Sequence, residues 1–415
     1  MEQTTNTTDM AQHAIDLENK YGAHNYHPLP VVLSRGEGVF VWDVEGRRYF
    51  DFLSAYSAVN QGHCHPAIIG ALNEQASTLT LTSRAFYNDV LGEYEKYVTD
   101  YFGYDKVLPM NTGAEAVETA IKLCRKWAYE KKGIPSNQAK IIVCENNFHG
   151  RTTTIVSFSS DPDSHHNFGP FTPGFIRIPY DDIDALREAL QDKHVAGFLV
   201  EPIQGEAGVF VPSDGYLAAA AKLCKDAGAL FIADEVQTGV ARTGKLLACD
   251  HENVKADILI LGKAISGGVY PVSAVLADDE IMMVIQPGQH GSTFGGNPIA
   301  AKVSMAALEV VRIEELAENA MHLGQLFRKE LQVIIDGSDL ISKVRGKGLL
   351  NAIVINDHPH STTAWNLCLA LRDNGLLAKP THGNIIRFAP PLVMTEEQLL
   401  ECVAIIKKTI EEFKA

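Results

Sequence analysis

Two ionisable residues stand at the ends of strongly apolar runs, where they can act on a bound ligand. Asp234 ends the run 231–234, and Lys263 follows the run 258–262. Each run is typical of a buried parallel strand, and open α/β sheets bind ligands at the carboxyl ends of their strands. An amine and a carboxylate at one such edge suit pyridoxal phosphate (PLP). The amine can bind this cofactor covalently, and the carboxylate keeps its ring nitrogen protonated.

Each residue alone has a simpler explanation. An Asp after a strand is often the N-cap of the next helix, and a Lys at a strand end is usually solvated. The combination of Asp234, Lys263 and the Gly-Gly turn at 267–268 favours the cofactor.

Two segments are candidates for binding the cofactor phosphate. The segment 111–115 (Asn-Thr-Gly-Ala-Glu) starts a predicted helix, whose backbone N–H groups suit an anion, and Gly113 permits close approach. Taken alone, this segment is better explained as an ordinary capped helix. The segment 291–298 offers the hydroxyls of Ser292 and Thr293, although a turn before a helix also explains it.

Further side chains could contact the cofactor ring or a substrate. Phe148 follows the predicted strand 141–144 and can stack on a ring. Arg151 can hold a carboxylate through two hydrogen bonds. Arg387 lies between Ile and Phe, so its charge needs an anion. A substrate and an internal salt bridge, with Glu206 as the partner, explain Arg387 equally well.

Other motifs are better explained without a function. The segment 239–245 matches most of a Walker A loop, but Leu246 replaces the hydroxyl residue that binds magnesium. The segment 63–65 (His-Cys-His) lacks further ligands at the usual spacing, so no metal site is predicted. For Tyr26 and Tyr56, each alone in an irregular segment, core packing is the default explanation.

Alternating helices and apolar strands position these residues. A helix over 113–132 begins with a capping-box pattern, and an amphipathic helix ends the chain. The predicted strands of the middle of the chain are 141–144, 195–201, 229–234, 257–262 and 271–277. This order predicts a large α/β domain and a smaller α+β domain.

The predicted division has four parts. Residues 1–20 are expected to be a disordered tail, and 21–55 an N-terminal arm with part of the small domain. Residues 56–297 form the large PLP-binding domain, and 298–415 the C-terminal small domain, which begins with a long helix.

Composition narrows the class of protein. The net charge of −15 argues against nucleic acid or an anionic membrane as a partner. Seven scattered cysteines without a CxxC motif indicate a reduced compartment. The N-terminal ten residues are polar and contain no Arg, unlike a transit peptide, so a cytoplasmic location is predicted.

Nearly the whole chain, from about residue 21 to 413, resembles the PLP-dependent aminotransferases of fold type I. Within them it resembles the class III (ω-aminotransferase) family, and its ornithine branch most. The similar stretches are YGAHNY, FLSAYSAVNQGHCHP, NTGAEAVETAIKLCRKW, EPIQGEAGV, ADEVQTG, LGKAISGG, GSTFGGNP, RGKGLLNAIVI and IIRFAPPL. The resemblance implies a mostly parallel seven-stranded sheet in the large domain.

The resemblance also implies roles in cofactor binding. Lys263 is then the Schiff-base lysine and proton carrier, Asp234 pairs with the ring nitrogen, Gln237 contacts the ring hydroxyl and Phe148 stacks on the ring.

For the phosphate, the resemblance implies backbone donors from Gly113 and Ala114. Ser292 and Thr293 of a second subunit join them, so the active enzyme is a homodimer with a shared active site.

The substrate roles implied by the resemblance concern five side chains. Tyr26 and Arg151 hold the α-carboxylate of ornithine, and Tyr56 shapes the pocket for the ω-amine. Glu206 pairs with Arg387 while ornithine is bound, then releases it for 2-oxoglutarate.

The implied reaction is a ping-pong transfer of the δ-amino group of L-ornithine to 2-oxoglutarate. Its products are L-glutamate and glutamate 5-semialdehyde, which cyclises to pyrroline-5-carboxylate. Transfer from N-acetylornithine or GABA is the nearest alternative. A non-catalytic metabolite-binding protein, or a nucleotide-binding enzyme built on the 239–245 loop, is a more distant one.

Overall fold

The computed structural model describes residues 7–413. The strands are β1 Leu33–Glu37, β2 Phe40–Asp43, β3 Arg48–Asp51, β4 Lys106–Met110, β5 Lys140–Cys144, β6 Phe175–Ile178, β7 Val195–Val200, β8 Leu230–Asp234, β9 Ile258–Leu261, β10 Ser273–Ala277, β11 Ile341–Lys347, β12 Leu350–Ile355, β13 Leu376–Leu377, β14 Lys379–Pro380 and β15 Ile385–Phe388. The helices are α1 Thr7–Tyr21, α2 Ser54–Ser57, α3 Pro66–Ala76, α4 Leu91–Phe102, α5 Gly113–Trp127, α6 Thr153–Val156, α7 Pro162–His165, α8 Ile183–Ala189, α9 Tyr216–Asp226, α10 Asp279–Met282, α11 Pro298–Ile313, α12 Leu316–Asp336, α13 Thr363–Asp373 and α14 Glu396–Glu412. A π-helical turn, Ala128–Lys132, extends α5, and 3₁₀ turns cover Ala248–Glu252 and Lys263–Ser266.

A seven-stranded sheet forms the centre, with the strand order β4-β10-β9-β8-β7-β5-β6. Strand β10 runs antiparallel to its neighbours β4 and β9, and the other neighbours pair in parallel. The predicted mostly parallel seven-stranded sheet is confirmed. The carboxyl ends of β5, β7, β8 and β9 therefore meet along one edge, where ligands bind in such sheets.

Helices cover both faces of this sheet, which explains why its strands are almost wholly apolar. Every residue of β7, β8, β9 and β10 is buried. On one face, Val117 of α5 shares a core with Ile141 of β5. On the other face, Leu217 of α9 shares a core with Phe198 of β7.

Two further sheets have four strands each. One has the order β1-β2-β3-β13 and the other β11-β12-β15-β14. Helices α11, α12 and α14 contribute to a large apolar core that also takes in residues of β12 and β15. Helix α11 is the long helix predicted after residue 297, and the domain limits themselves stay predictions. No helix within residues 7–413 is long and apolar enough to cross a membrane.

The N-terminal segment differs from the prediction of a disordered tail over 1–20. Residues 7–21 form α1, a helix that contains no Gly or Pro, the two residues least compatible with a helix interior. The first six residues of the predicted tail lie outside the described residues.

Candidate active site

The ends of β8 and β9 lie side by side and open into one cavity. Asp234 stands opposite Ile260 in this parallel pair, and Lys263 begins the 3₁₀ turn after β9. The cavity has a volume of about 170 Å³. Its lining includes six of the predicted site residues, namely Gly113, Ala114, Phe148, Asp234, Gln237 and Lys263. The topology therefore brings the predicted acid and amine together.

Lys263 has the properties of a reactive amine. Its φ of +46° is in the left-handed region, which non-glycine residues seldom occupy away from functional sites and turns. Burial, followed by the nearby charge of Arg387, lowers the pKa of Lys263 to about 8. Much more of the amine is therefore uncharged near neutral pH than in a solvated lysine, and the uncharged form is a nucleophile and a proton acceptor.

Asp234 is held by a histidine that the sequence reasoning did not select. His149 Nδ1 lies 2.6 Å from Asp234 Oδ2, and the backbone N–H of Val236 donates to Oδ1 at 3.1 Å. Burial alone would lower the pKa of His149, but the hydrogen bond and charge of Asp234 outweigh it and raise that pKa. The two hydrogen bonds fix the orientation of the Asp234 carboxylate.

Glu201 is a second buried acid that was missed. It lines the cavity directly after β7, and its Oε2 accepts a hydrogen bond of 3.0 Å from the backbone N–H of Phe148. Burial raises the pKa of Glu201 to about 7. The strand-end argument used for Asp234 applies equally to Glu201, so the signal was present in the run 195–200. His149 had no comparable signal, because its burial depends on the tertiary fold.

The N-terminus of α5 forms the anion-binding end of the cavity. Thr112 and Glu115 form the predicted capping box: Thr112 Oγ1 accepts the Glu115 N–H, and Glu115 Oε2 accepts the Thr112 N–H. The cap leaves Gly113 and Ala114 facing the cavity. Ser292 Oγ accepts a hydrogen bond of 2.8 Å from Asn111 of the same chain. Thr293 is exposed, and neither hydroxyl residue is among those lining the cavity.

A larger cavity of about 630 Å³ is lined by all five predicted substrate residues, Tyr26, Tyr56, Arg151, Glu206 and Arg387. Gln237 connects it with the Lys263 cavity, because its Oε1 lies 3.4 Å from Arg387 Nη1. The predicted site residues other than Ser292 and Thr293 thus fall into two adjoining groups.

An ion pair between the buried Arg387 and the partly exposed Glu206 joins the two predicted partners at this junction. Arg387 Nη1 lies 3.0 Å from Glu206 Oε2, and the arginine side chain is 2% exposed. Burial alone would raise the pKa of Glu206, but the charge and hydrogen bond of Arg387 lower it. Among the described residues, Arg387 Nε has no hydrogen-bond partner. The arginine therefore keeps a donor available for another anion.

The other three substrate residues surround this pair at different depths. The Arg387 guanidinium lies 5.3 Å from the centre of the Tyr56 ring. Arg151 lies 5.5 Å over the Phe148 ring, and its Nη1 donates to Ser164 Oγ at 3.0 Å. Tyr26 is 67% exposed on the N-terminal arm, so core packing does not explain its position.

The donor set fits PLP. The cavity presents an amine with a lowered pKa, a buried carboxylate fixed at a strand end, an aromatic ring and a helix N-terminus. These groups match the aldehyde, ring nitrogen, ring face and phosphate of this cofactor.

The chain belongs to the class III aminotransferase family, whose model matches residues 21–410. It is a PLP-dependent aminotransferase of fold type I. Its sequence is 67% identical to the mitochondrial ornithine aminotransferase of Drosophila melanogaster, covering 95% of this chain and 90% of that protein.

Two solved structures share the fold. One is an acetylornithine aminotransferase from Elizabethkingia anophelis, with 67% identity, a TM-score of 0.90, and coverage of 97% of this chain and 99% of that one. The other is an ornithine aminotransferase from Toxoplasma gondii, described with partial occupancy of PLP at its active site, with 50% identity, a TM-score of 0.95, and coverage of 97% and 94%.

The comparison contradicts the predicted cytoplasmic location. The Drosophila relative, 67% identical, is named as a mitochondrial enzyme. The prediction relied on the polar, Arg-free start of the chain, which is not a sound guide to the compartment.

Proposed function

We propose that this aminotransferase transfers the δ-amino group of L-ornithine to 2-oxoglutarate. The observation that supports this proposal is the ion pair of Glu206 with the buried Arg387, beside the Lys263 cavity. An unpaired arginine there would draw the α-carboxylate of an amino acid toward the reacting centre, whereas a neutralised arginine does not. Ornithine then enters with its δ-amine toward Lys263. The products are L-glutamate and glutamate 5-semialdehyde, which cyclises to pyrroline-5-carboxylate.

The chain's own groups hold the cofactor and move the protons. PLP, when bound, supplies an electron-poor ring that takes up the electron pair left when a proton leaves the carbon beside the transferred nitrogen. Asp234, oriented by His149, would hold the ring nitrogen, Gln237 would bind the ring hydroxyl and Phe148 would cover the ring. Lys263 binds the cofactor covalently between turnovers. Once the δ-amine of the donor has displaced it, the Lys263 Nζ would be free to take a proton from the δ-carbon of ornithine.

The phosphate is bound by the backbone N–H groups of Gly113 and Ala114 at the start of α5. Ser292 and Thr293 of a second subunit add hydroxyl donors, which makes the enzyme a homodimer with shared active sites. The exposure of Thr293 within one chain supports this arrangement, because the residue is available to a neighbour.

Tyr26 and Arg151 hold the α-carboxylate of ornithine. Arg151 is suited to this by its two-pronged guanidinium, and Tyr26 by its position on the arm that lines the cavity. Tyr56 shapes the pocket for the ω-amine.

The second half-reaction uses the same pocket for a different anion. Glu206 leaves Arg387, and the freed guanidinium binds a carboxylate of 2-oxoglutarate. The Arg387 Nε–H, which has no partner in residues 7–413, offers a second donor for that bidentate contact.

N-acetylornithine is the second candidate donor, because the Elizabethkingia neighbour carries that name. Its acetylated α-nitrogen is uncharged. Ornithine instead carries an α-ammonium group, which is stabilised by an acidic side chain at the end of the cavity that binds the α-carboxylate. Asp163 lines the cavity beside Arg151 and supplies such an acid, so we place ornithine first.

An absorbance titration tests the proposed function. The visible absorbance band of the lysine-bound cofactor should disappear on addition of L-ornithine and return with 2-oxoglutarate. A band that responds only to N-acetylornithine or GABA would mean that one of these compounds, and not ornithine, is the donor. The assignment as an aminotransferase would still hold.

A further inference from the structure

The short element α2, Ser54–Ser57, is a left-handed turn that places Tyr56 in the lining of the substrate cavity. Ser54, Ala55, Tyr56 and Ser57 have φ values of +47°, +47°, +61° and +70°. L-residues other than glycine rarely adopt this region, and four in succession are strained. Contacts from outside the turn must therefore hold it in place.

The carboxylate of Asp51 supplies two of these contacts. Asp51 ends β3 and is 8% exposed. Its Oδ1 accepts hydrogen bonds of 2.9 Å from the backbone N–H groups of Leu53 and Ser54. Ser54 is the first residue with a left-handed φ, so Asp51 fixes the point at which the chain enters the turn. Hydrogen bonds to an ionised acceptor are stronger than neutral ones.

His63 holds the other oxygen of this carboxylate. Its Nε2 lies 2.8 Å from Asp51 Oδ2. Its backbone exchanges two hydrogen bonds, of 2.8 and 3.0 Å, with Gly38. A Cβ on Gly36 would lie 2.9 Å from the His63 side chain, so the histidine packs closely against the β1–β2 hairpin. That hairpin therefore fixes His63, which in turn fixes Asp51.

We propose that Asp51 and His63 are positioning residues that set substrate affinity by aiming Tyr56 at Arg387. The inference rests on the proposed function, in which Tyr56 contacts the substrate. Neither Asp51 nor His63 is among the residues lining the Lys263 cavity, so both act on binding of the donor rather than on proton transfer.

Asp51→Ala tests the inference. We expect KM for L-ornithine to rise about tenfold, since charged hydrogen bonds to the turn are lost, with kcat within about twofold of wild type. Asp43→Ala is the matched control. Asp43 ends β2, is 9% exposed, and accepts the N–H groups of Glu45 and Arg47 in a turn away from both cavities. It should leave KM unchanged, and an equal rise in both variants would overturn the proposal.

A double-mutant cycle separates positioning from general destabilisation. If Asp51 acts through Tyr56, Asp51→Ala should raise KM in wild type but change it less than about twofold in the Tyr56→Ala background. Additive effects on KM would refute the proposal. Should Asp51→Ala fail to fold, His63→Ala enters the same cycle with the same expectation.

Hydrogen exchange provides a readout that does not depend on activity. In Asp51→Ala, the amides of residues 53–58 should lose protection, while the turn at 43–47 keeps it. Unchanged protection at 53–58 would contradict the proposal even if KM rose. Wild-type turnover of ornithine tests the proposed function separately, so failure of one does not imply failure of the other.

Discussion

At the scale of single residues, the Glu206–Arg387 pair decides which end of an amino acid reaches Lys263. Glu206→Ala leaves a buried arginine that attracts an α-carboxylate, so the α-amine is brought to the reacting centre. We expect the ratio of α- to δ-amino transfer to rise at least about tenfold, the equivalent of one charged hydrogen bond. Product analysis with ornithine and L-glutamate as donors measures this ratio.

Phe168→Ala is the control for that experiment, because Phe168 lines the same cavity but makes no hydrogen bond or ion pair with Arg387. It should leave the α/δ ratio close to the wild-type value. A Glu206→Ala variant with unchanged regiochemistry would mean that the pair does not control substrate orientation.

The lowered pKa of Lys263 gives a prediction about pH. Burial favours the uncharged amine, so the nucleophilic fraction rises as pH passes about 8 and levels off above it. The rate at which the cofactor-free enzyme binds PLP should follow this curve. The ionisation of PLP itself also changes with pH, and the reaction of PLP with a small amine, measured over the same pH range, corrects for it. If the midpoint of the rate against pH lay at about 10.4, the pKa of a solvated lysine, burial would not lower the pKa of Lys263.

Sequence reasoning reached Asp234, Lys263 and Gly113 because each follows or begins a regular element with a clear pattern. It overlooked Glu201, although that residue follows the apolar run 195–200, and it could not reach His149, whose importance comes from burial against Asp234. Burial of a polar group is a tertiary property, since it depends on which segments meet at the edge of the sheet.

At the scale of elements, the start of α5 both stabilises a helix and prepares an anion site. Thr112→Ala removes the acceptor for the Glu115 N–H and should cost about 1 kcal/mol of unfolding free energy. It should also weaken PLP binding, because the N–H groups beside the cavity become less ordered. Denaturant titration and a PLP binding isotherm measure the two effects.

Thr395→Ala is the matched control for this helix. Thr395 and Gln398 form a similar capping box at the start of α14, and neither lines the two cavities. This variant should lose similar stability but keep the wild-type PLP dissociation constant. Equal weakening of PLP binding in both variants would show that the effect of Thr112 is only global.

The alternation of helix and apolar strand predicted β5, β7, β8, β9 and β10 and the capped helix α5. It did not predict the left-handed turn Ser54–Ser57, because none of its residues is Gly, Asn or Asp. The turn depends on Asp51 and on packing, which local propensity does not describe.

At the scale of the whole molecule, the shared active site can be tested by mixing subunits. Lys263→Ala and the double variant Ser292→Ala/Thr293→Ala should each have little activity. If the hydroxyls act across subunits, co-expressed chains form heterodimers with one intact site, and activity returns to roughly a quarter of wild type.

Hydroxyls that act within their own chain would give no recovery in that experiment. The bond between Ser292 and Asn111 of the same chain makes this a real alternative.

The overall architecture follows from the sequence, but the contacts between its parts do not. Arg242, in the loop that resembled a Walker A motif, is fully buried and donates to Asn60 Oδ1 and to the carbonyls of Leu349 and Pro390. It joins three distant segments, and burial lowers its pKa to about 9. Only the folded chain brings these acceptors together.

Identification of L-ornithine as the donor, and of its δ-amine as the reacting group, depends on two measurements. They are the ratio of kcat/KM for L-ornithine to that for N-acetylornithine and the identity of the product formed from ornithine. We predict a ratio above about ten, because a tenfold ratio corresponds to the free energy of one hydrogen bond to a charged group. We predict pyrroline-5-carboxylate as the product. A ratio below one, or a product formed by loss of the α-amine, would contradict the account.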